Sequence, residues 1–66
     1  MIVGENLKKY RKKNCYSLKE LSKVSGISYK TLWKIEHGDV DDITLSTARK
    51  IKEALNITLD QLYEEK

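Results

Sequence analysis

Two hydroxyl residues, each followed at helical distance by a glycine, constrain this chain most: Ser17 to Gly26 and Ser28 to Gly38, within SLKELSKVSGISYKTLWKIEHG. Ser17 precedes Leu18-Lys19-Glu20, the order of a capping box, in which the hydroxyl accepts from the third helical amide while Glu20 reaches back. The spacing predicts a helix from Leu18 to about Ser25. Gly26 stops it, because glycine takes the positive φ that a sharp turn between helices demands. Ser28 caps a second helix over Tyr29 to His37, which Gly38 ends. Leu21, Ile27, Leu32 and Ile35 supply the apolar residues that lock the pair, and Ser22 is small enough for the helices to cross closely. The second helix is left with an outward face of cations and aromatics: Tyr29, Lys30, Trp33 and Lys34.

Three more helices account for nearly all of the remainder. Val3, Leu7 and Tyr10 fall at helical spacing and predict a first helix from Gly4 to Lys13, with Asn14 ending it. After the acidic loop Asp39-Val40-Asp41-Asp42-Ile43, either Thr44 or Asp42 can cap a longer helix whose Leu45, Ala48, Ile51 and Leu55 form one stripe. Thr58 caps a last short helix, Leu59 to Tyr63. No segment alternates with period two, so no strand is required. The expected fold class is all-α, a compact bundle of five short helices. Without proline, low-complexity sequence or internal repeats, residues 1–66 read as a single domain.

At 66 residues the chain lies near the lower limit for folding without metals or disulfides. A single Cys15 cannot form an internal disulfide and fits a reducing compartment, and no Cys/His cluster has zinc-site spacing. No metal and no cofactor are expected. The amino terminus turns charged before any apolar run reaches the length of a signal peptide or membrane span, which predicts a cytoplasmic protein with no membrane partner. His37 and Cys15 lie on different elements, there is no nucleotide-binding glycine motif, and no carboxylate pair shares a predictable cleft. The chain is a poor enzyme candidate: His37 suits a helix end, where the dipole favours a cation, and Cys15 suits a small position between helices.

The formal charge of +3 is unevenly spread. Residues 1–34 carry nine basic side chains (Lys8, Lys9, Arg11, Lys12, Lys13, Lys19, Lys23, Lys30 and Lys34) against Glu5 and Glu20. Residues 35–66 are net acidic. A polyanion prefers the first half, although any one lysine on a short helix is also ordinary solvated surface.

The runs ENLKKYRKKN, SLKELSKVSGIS, YKTLWKIEHG and LSTARKIKEALNITLDQLY together resemble the lambda-repressor-like family of phage and bacterial regulators, the Cro/C1 or XRE type. The resemblance covers almost the whole chain, and Tyr10-Arg11-Lys12 with Tyr16-Ser17-Leu18 is especially similar to sporulation and biofilm repressors of Gram-positive bacteria. It implies a helix-turn-helix whose second helix enters the major groove of double-stranded DNA. Carried over by position, Ser28, Tyr29, Lys30 and Lys34 match places that approach base edges, and Trp33 joins them on the same face. Ser17 and His37 match places near phosphates, with Lys19 and Thr31 beside them. Lysine donates to guanine O6 and N7, and an aromatic ring meets a thymine methyl. Trp33 equally suits packing over its own helix or a protein interface. Arg11 and Glu36 match a structural salt bridge between the first and third helices.

Two departures from the family pattern predict weaker backbone anchoring. Leu18 stands where glutamine commonly touches a phosphate, and the Asp39 to Asp42 loop puts carboxylates where a basic loop is usual. The resemblance further implies a homodimer on a pseudo-palindromic site, for which Ile57, Leu59, Leu62 and Tyr63 are interface candidates, although Leu59 and Leu62 could instead complete the core. Repression is the expected mode. The rival reading is a protein-interaction module on the same fold, such as an antitoxin, anti-repressor or co-regulator, acting through Trp33 and the acidic loop.

Overall fold

The computed structural model describes residues 2–40 and 42–65. It contains helices α1 (Ile2–Lys13), α2 (Leu18–Ser25), α3 (Tyr29–Glu36), α4 (Leu45–Leu55) and α5 (Leu59–Leu62), with no strand among the described residues. The four expected hydroxyl caps form. Ser17, Ser28, Thr44 and Thr58 each accept from the amide three residues on, satisfying a donor that a bare helix end leaves unpaired. Of the two caps open for α4, Thr44 takes the position, while the Asp42 carboxylate accepts from the Ile43 amide at 2.8 Å.

The helix ends follow a common rule with different residues. α1, α2, α3 and α4 are each followed by a residue of positive φ: Cys15, Gly26, Gly38 and Asn56. After α1 the Tyr16 amide donates back to the Arg11 carbonyl, after α3 that of Asp39 to Lys34, and after α4 that of Ile57 to Lys52. These six-to-one bonds satisfy carbonyls that the helix leaves open. Asn14 therefore does not end α1 alone. The chain reverses at Cys15, and Asn14 instead ties the end of α1 to α4, its amide donating to the carbonyls of Tyr10 and Leu55.

Three boundaries differ from the sequence expectation. α3 stops at Glu36 and α5 at Leu62, and His37 and Tyr63 become their caps. α1 begins at Ile2, placing Gly4 inside it, where a Cβ would run into the Ile35 carbonyl oxygen. Glycine here costs helix propensity but admits the end of α3 to van der Waals distance.

The core is built from Val3, Leu7, Tyr10, Leu21, Ile27, Leu32, Ile35, Ala48, Ile51, Leu55 and Leu62, drawing on all five helices. α1 packs on α3, α4 and α5, while α2 packs on α3 and α4. A buried polar side chain interrupts this interior. Asn6 donates through its Nδ2 to the carbonyls of Leu62 and Glu64, both at 2.8 Å, fastening the end of α5 to α1.

Candidate nucleic-acid interface

The turn between α2 and α3 is held by side chains as well as by glycine. Gly26 takes φ 76°, the Ser22 hydroxyl donates to the Ile27 carbonyl at 2.6 Å, and the Ile27 amide donates to Ser25 Oγ at 3.2 Å. Ile27 is buried, so the turn is pinned at its centre. Ser22, expected to matter for its size, also contributes a hydrogen bond.

With Leu32 and Ile35 committed to the core, α3 turns its opposite face to solvent. Tyr29 is 51% and Trp33 40% exposed. These two, with Lys30 and Lys34, line a shallow depression of about 270 Å³ whose walls are mostly apolar. The spacing i, i+1, i+4, i+5 puts all four on adjacent turns of one face. Trp33 is further fixed by His37: their rings stack with centroids 3.9 Å apart and planes 14° from parallel.

His37 Nδ1 lies 2.8 Å from the Trp33 carbonyl oxygen. Because a carbonyl only accepts, that contact holds the proton on Nδ1 and turns Nε2 outward. The neutral ring therefore offers an acceptor, and its protonated form a donor.

Ser28 and Thr31 are exposed but already engaged with each other. Ser28 Oγ accepts from the Thr31 amide and donates to Thr31 Oγ1 at 2.8 Å. The Thr31 hydroxyl hydrogen remains free to donate outward. Ser17 is comparable: its Oγ accepts from the Glu20 amide while its own amide donates to Glu20 Oε1 at 2.9 Å. The Ser17 amide, with smaller contributions from its hydroxyl and from Lys23, holds the exposed Glu20 carboxyl below the usual carboxylate range. Lys19 is exposed on the first turn of α2, and Leu18 is half-buried against the core.

Behind α3, Arg11 and Glu36 meet in a fork. Arg11 Nε donates to Glu36 Oε2 at 2.7 Å and Nη2 to Oε1 at 3.2 Å, while Nη1 donates to the Tyr16 carbonyl at 2.7 Å. One residue of α1 thus fixes the end of α3 and the approach to α2.

The expected dimer residues separate. Leu62 is fully buried, which is the core alternative that the sequence left open for it, on a helix packed against α1 and α4. Ile57 and Leu59 are half-buried against the same core, and Tyr63 is 41% exposed. In the acidic loop, Val40 packs against the core while Asp39 and Asp42 face solvent, and Asp41 lies outside the described residues. No group of three His, Cys, Asp or Glu side chains is placed to hold a metal among the described residues. No described helix is long and apolar enough to cross a membrane.

Three features escaped the sequence reading: Asn6, Gly4 and the Trp33–His37 stack. The signal for Asn6 was its place among Val3, Leu7 and Tyr10 on the apolar stripe of α1, and for the stack it was aromatic spacing of four.

The helix-turn-helix family model matches residues 7–62. The chain is 29% identical over 65 residues to the HTH-type transcriptional regulator SinR of Bacillus subtilis (strain 168), covering 98% of itself and 59% of SinR. It is 40% identical over 58 residues to a Pyrococcus abyssi protein named as an HTH-type transcriptional regulatory protein, covering 88% of itself and 18% of that protein. The solved N-terminal DNA binding domain of SinR from Bacillus subtilis superposes with a TM-score of 0.93 at 29% identity, over 98% of this chain and 94% of that one. A SinR protein/SinI protein complex also matches with a TM-score of 0.93 at 31% identity, over 98% of this chain and 62% of that one. The chain thus spans between about a fifth and three fifths of the length of these curated relatives.

Proposed function

This chain belongs to the helix-turn-helix family, in its lambda-repressor-like, Cro/C1-type branch, and on that premise we propose that it binds double-stranded DNA sequence-specifically as a transcriptional repressor. The observation that carries this reading is the outward face of α3. Tyr29, Lys30, Trp33 and Lys34 are turned away from the core on a helix braced by a pinned turn and by the Arg11–Glu36 fork. A rigid helix with donors and apolar rings on one face is suited to reading base edges in a major groove.

In this reading Lys30 and Lys34 donate to guanine edges, Tyr29 and Trp33 meet thymine methyls, and Ser28 contributes from the cap. Ser17, Lys19, Thr31 and His37 hold phosphates, which position the helix without reading sequence. The chain acts as one DNA-binding domain over residues 1–66. One such helix reads only a few base pairs, so two copies pair across half-sites about 34 Å apart. Tyr63, with the exposed parts of Ile57 and Leu59, is the surface we assign to that pairing. The names of its relatives as transcriptional regulators support a non-catalytic role.

Titration against a random duplex pool tests the reading. Binding that weakens linearly in log–log form as salt rises, with selection of a two-fold symmetric site, is the expected result. No binding at low salt would overturn it. The match to a structure of SinR with SinI favours one second reading, in which the chain contacts a protein; if the exposed Trp33 serves that contact, Trp33→Ala leaves duplex affinity unchanged.

A further inference from the structure

The α3 face leaves one strongly charged surface unused. On α1 the side chains turned away from the core are Glu5, Lys8, Lys9, Lys12 and Lys13. The lysines form two i, i+4 pairs, Lys8 with Lys12 and Lys9 with Lys13. Like charges at this spacing oppose helix formation. Glu5 stands one turn before Lys8 and Lys9, yet none of the four ammonium groups forms an ion pair among the described residues; the ion pair found there is Arg11 with Glu36. Two of the ammonium groups are nonetheless held in place, with Lys9 and Lys13 Nζ over the Tyr10 ring at 5.1 and 5.5 Å from its centroid.

The ridge also has a fixed relation to the start of α2. Arg11 Nη1 bonds the Tyr16 carbonyl and the Tyr16 amide bonds the Arg11 carbonyl, so the last turn of α1 is coupled to the residue before Ser17. The last turn of α1, which carries Lys12 and Lys13, is thus joined to the start of α2, which carries the Ser17 and Lys19 that the reading above places at phosphates.

We infer that the α1 lysine ridge is a second phosphate-contacting surface, which holds the backbone of the same duplex on the flank of the bases that α3 reads. It takes a double-stranded sugar–phosphate backbone and carries no base preference. This assignment rests on the proposed DNA binding and extends its footprint past the half-site. Charge complementarity favours this occupant: a duplex presents one negative charge per about 1.7 Å of axis, a density suited to a row of otherwise unpaired ammonium groups.

The test uses the full chain and two double variants, Lys8→Gln/Lys12→Gln and Lys9→Gln/Lys13→Gln. Glutamine retains helix propensity, and thermal unfolding checks that the variants fold. Affinity is measured against salt on two duplexes containing the selected half-site, one of about 10 base pairs and one of about 30, set by a helical turn of about 10. On the long duplex each double variant should lower the log–log salt slope by about two, at about 0.9 per lost phosphate contact. On the short duplex the slope should not change, and preference for the selected site over a scrambled one should be kept on both. Equal slopes for parent and variants on the long duplex would overturn the inference while leaving the proposed function standing. An equal drop on both lengths would overturn the flank assignment. If the unmodified chain binds neither duplex, the proposed function itself fails.

Discussion

Arg11 Nε donates to Glu36 Oε2 at 2.7 Å across the α1–α3 junction, with the side chains only 13% and 3% exposed. The Arg11 fork makes a third bond to the Tyr16 carbonyl, so each of its three nitrogens is engaged. Breaking such a pair from one side leaves a poorly solvated charge behind, at about 3–5 kcal/mol. Glu36→Ala should lower stability by that order, measured as a fall in urea midpoint. Glu53→Ala, on an exposed position of α4, should stay within about 0.5 kcal/mol of the parent. Equal midpoints for the two variants would contradict a structural role for the pair.

Gly4 offers an unusual reversal. Alanine normally stabilises a helix interior by about 1 kcal/mol over glycine. Here its Cβ would meet the Ile35 backbone, and separating α1 from α3 strains well-packed neighbours, at about 1–3 kcal/mol. Gly4→Ala should therefore destabilise the domain in chemical denaturation. A stabilised variant would mean that α1 and α3 can move apart freely.

Binding and stability should separate on the outer face of α3. Lys30→Ala and Lys34→Ala remove exposed side chains with no core contacts, so thermal midpoints should hold. Each should reduce discrimination at one base position by about 1–3 kcal/mol if the lysine reads a guanine edge. Comparing affinity for the selected duplex with single-base variants provides the measurement. Uniform weakening across all sequences would reassign that lysine to the phosphates.

The pH dependence follows from Glu20. Its carboxyl is held below the usual range by the Ser17 amide first, so the folded state favours the charged form. That contribution is fully present above the carboxylate range of the unfolded chain and is lost as pH falls through the lower folded value. Carbon-detected NMR titration should give Glu20 a midpoint below the usual glutamate range. Glu20→Gln should flatten this part of the acid dependence, with α2 still capped through Ser17 Oγ.

What was legible in the sequence was mostly short-range. Caps at Ser17, Ser28, Thr44 and Thr58 could be read because hydroxyl and amide lie three residues apart, and Gly26 and Gly38 because positive φ favours glycine. Cys15 adopts the same backbone conformation with nothing in its side chain to mark it. The Arg11–Glu36 pair came from family resemblance, since a contact across 25 positions has no local signature. Leu62 remained divided between core and interface for a related reason: periodicity shows which face of a helix is apolar, but not what covers it. The outward residues of α3 were found by subtraction, once Leu32 and Ile35 were assigned inward.

The Asn6 bonds to Leu62 and Glu64 join positions 56 and 58 apart in the chain. A four-residue helix has no stability alone, so α5 persists only while this clasp and the Leu62 contacts hold. The two extremities should consequently open as one cooperative unit. Amides of α5 and of the first turns of α1 should share a hydrogen-exchange rate, and Asn6→Ala should accelerate both together while sparing α2 and α3.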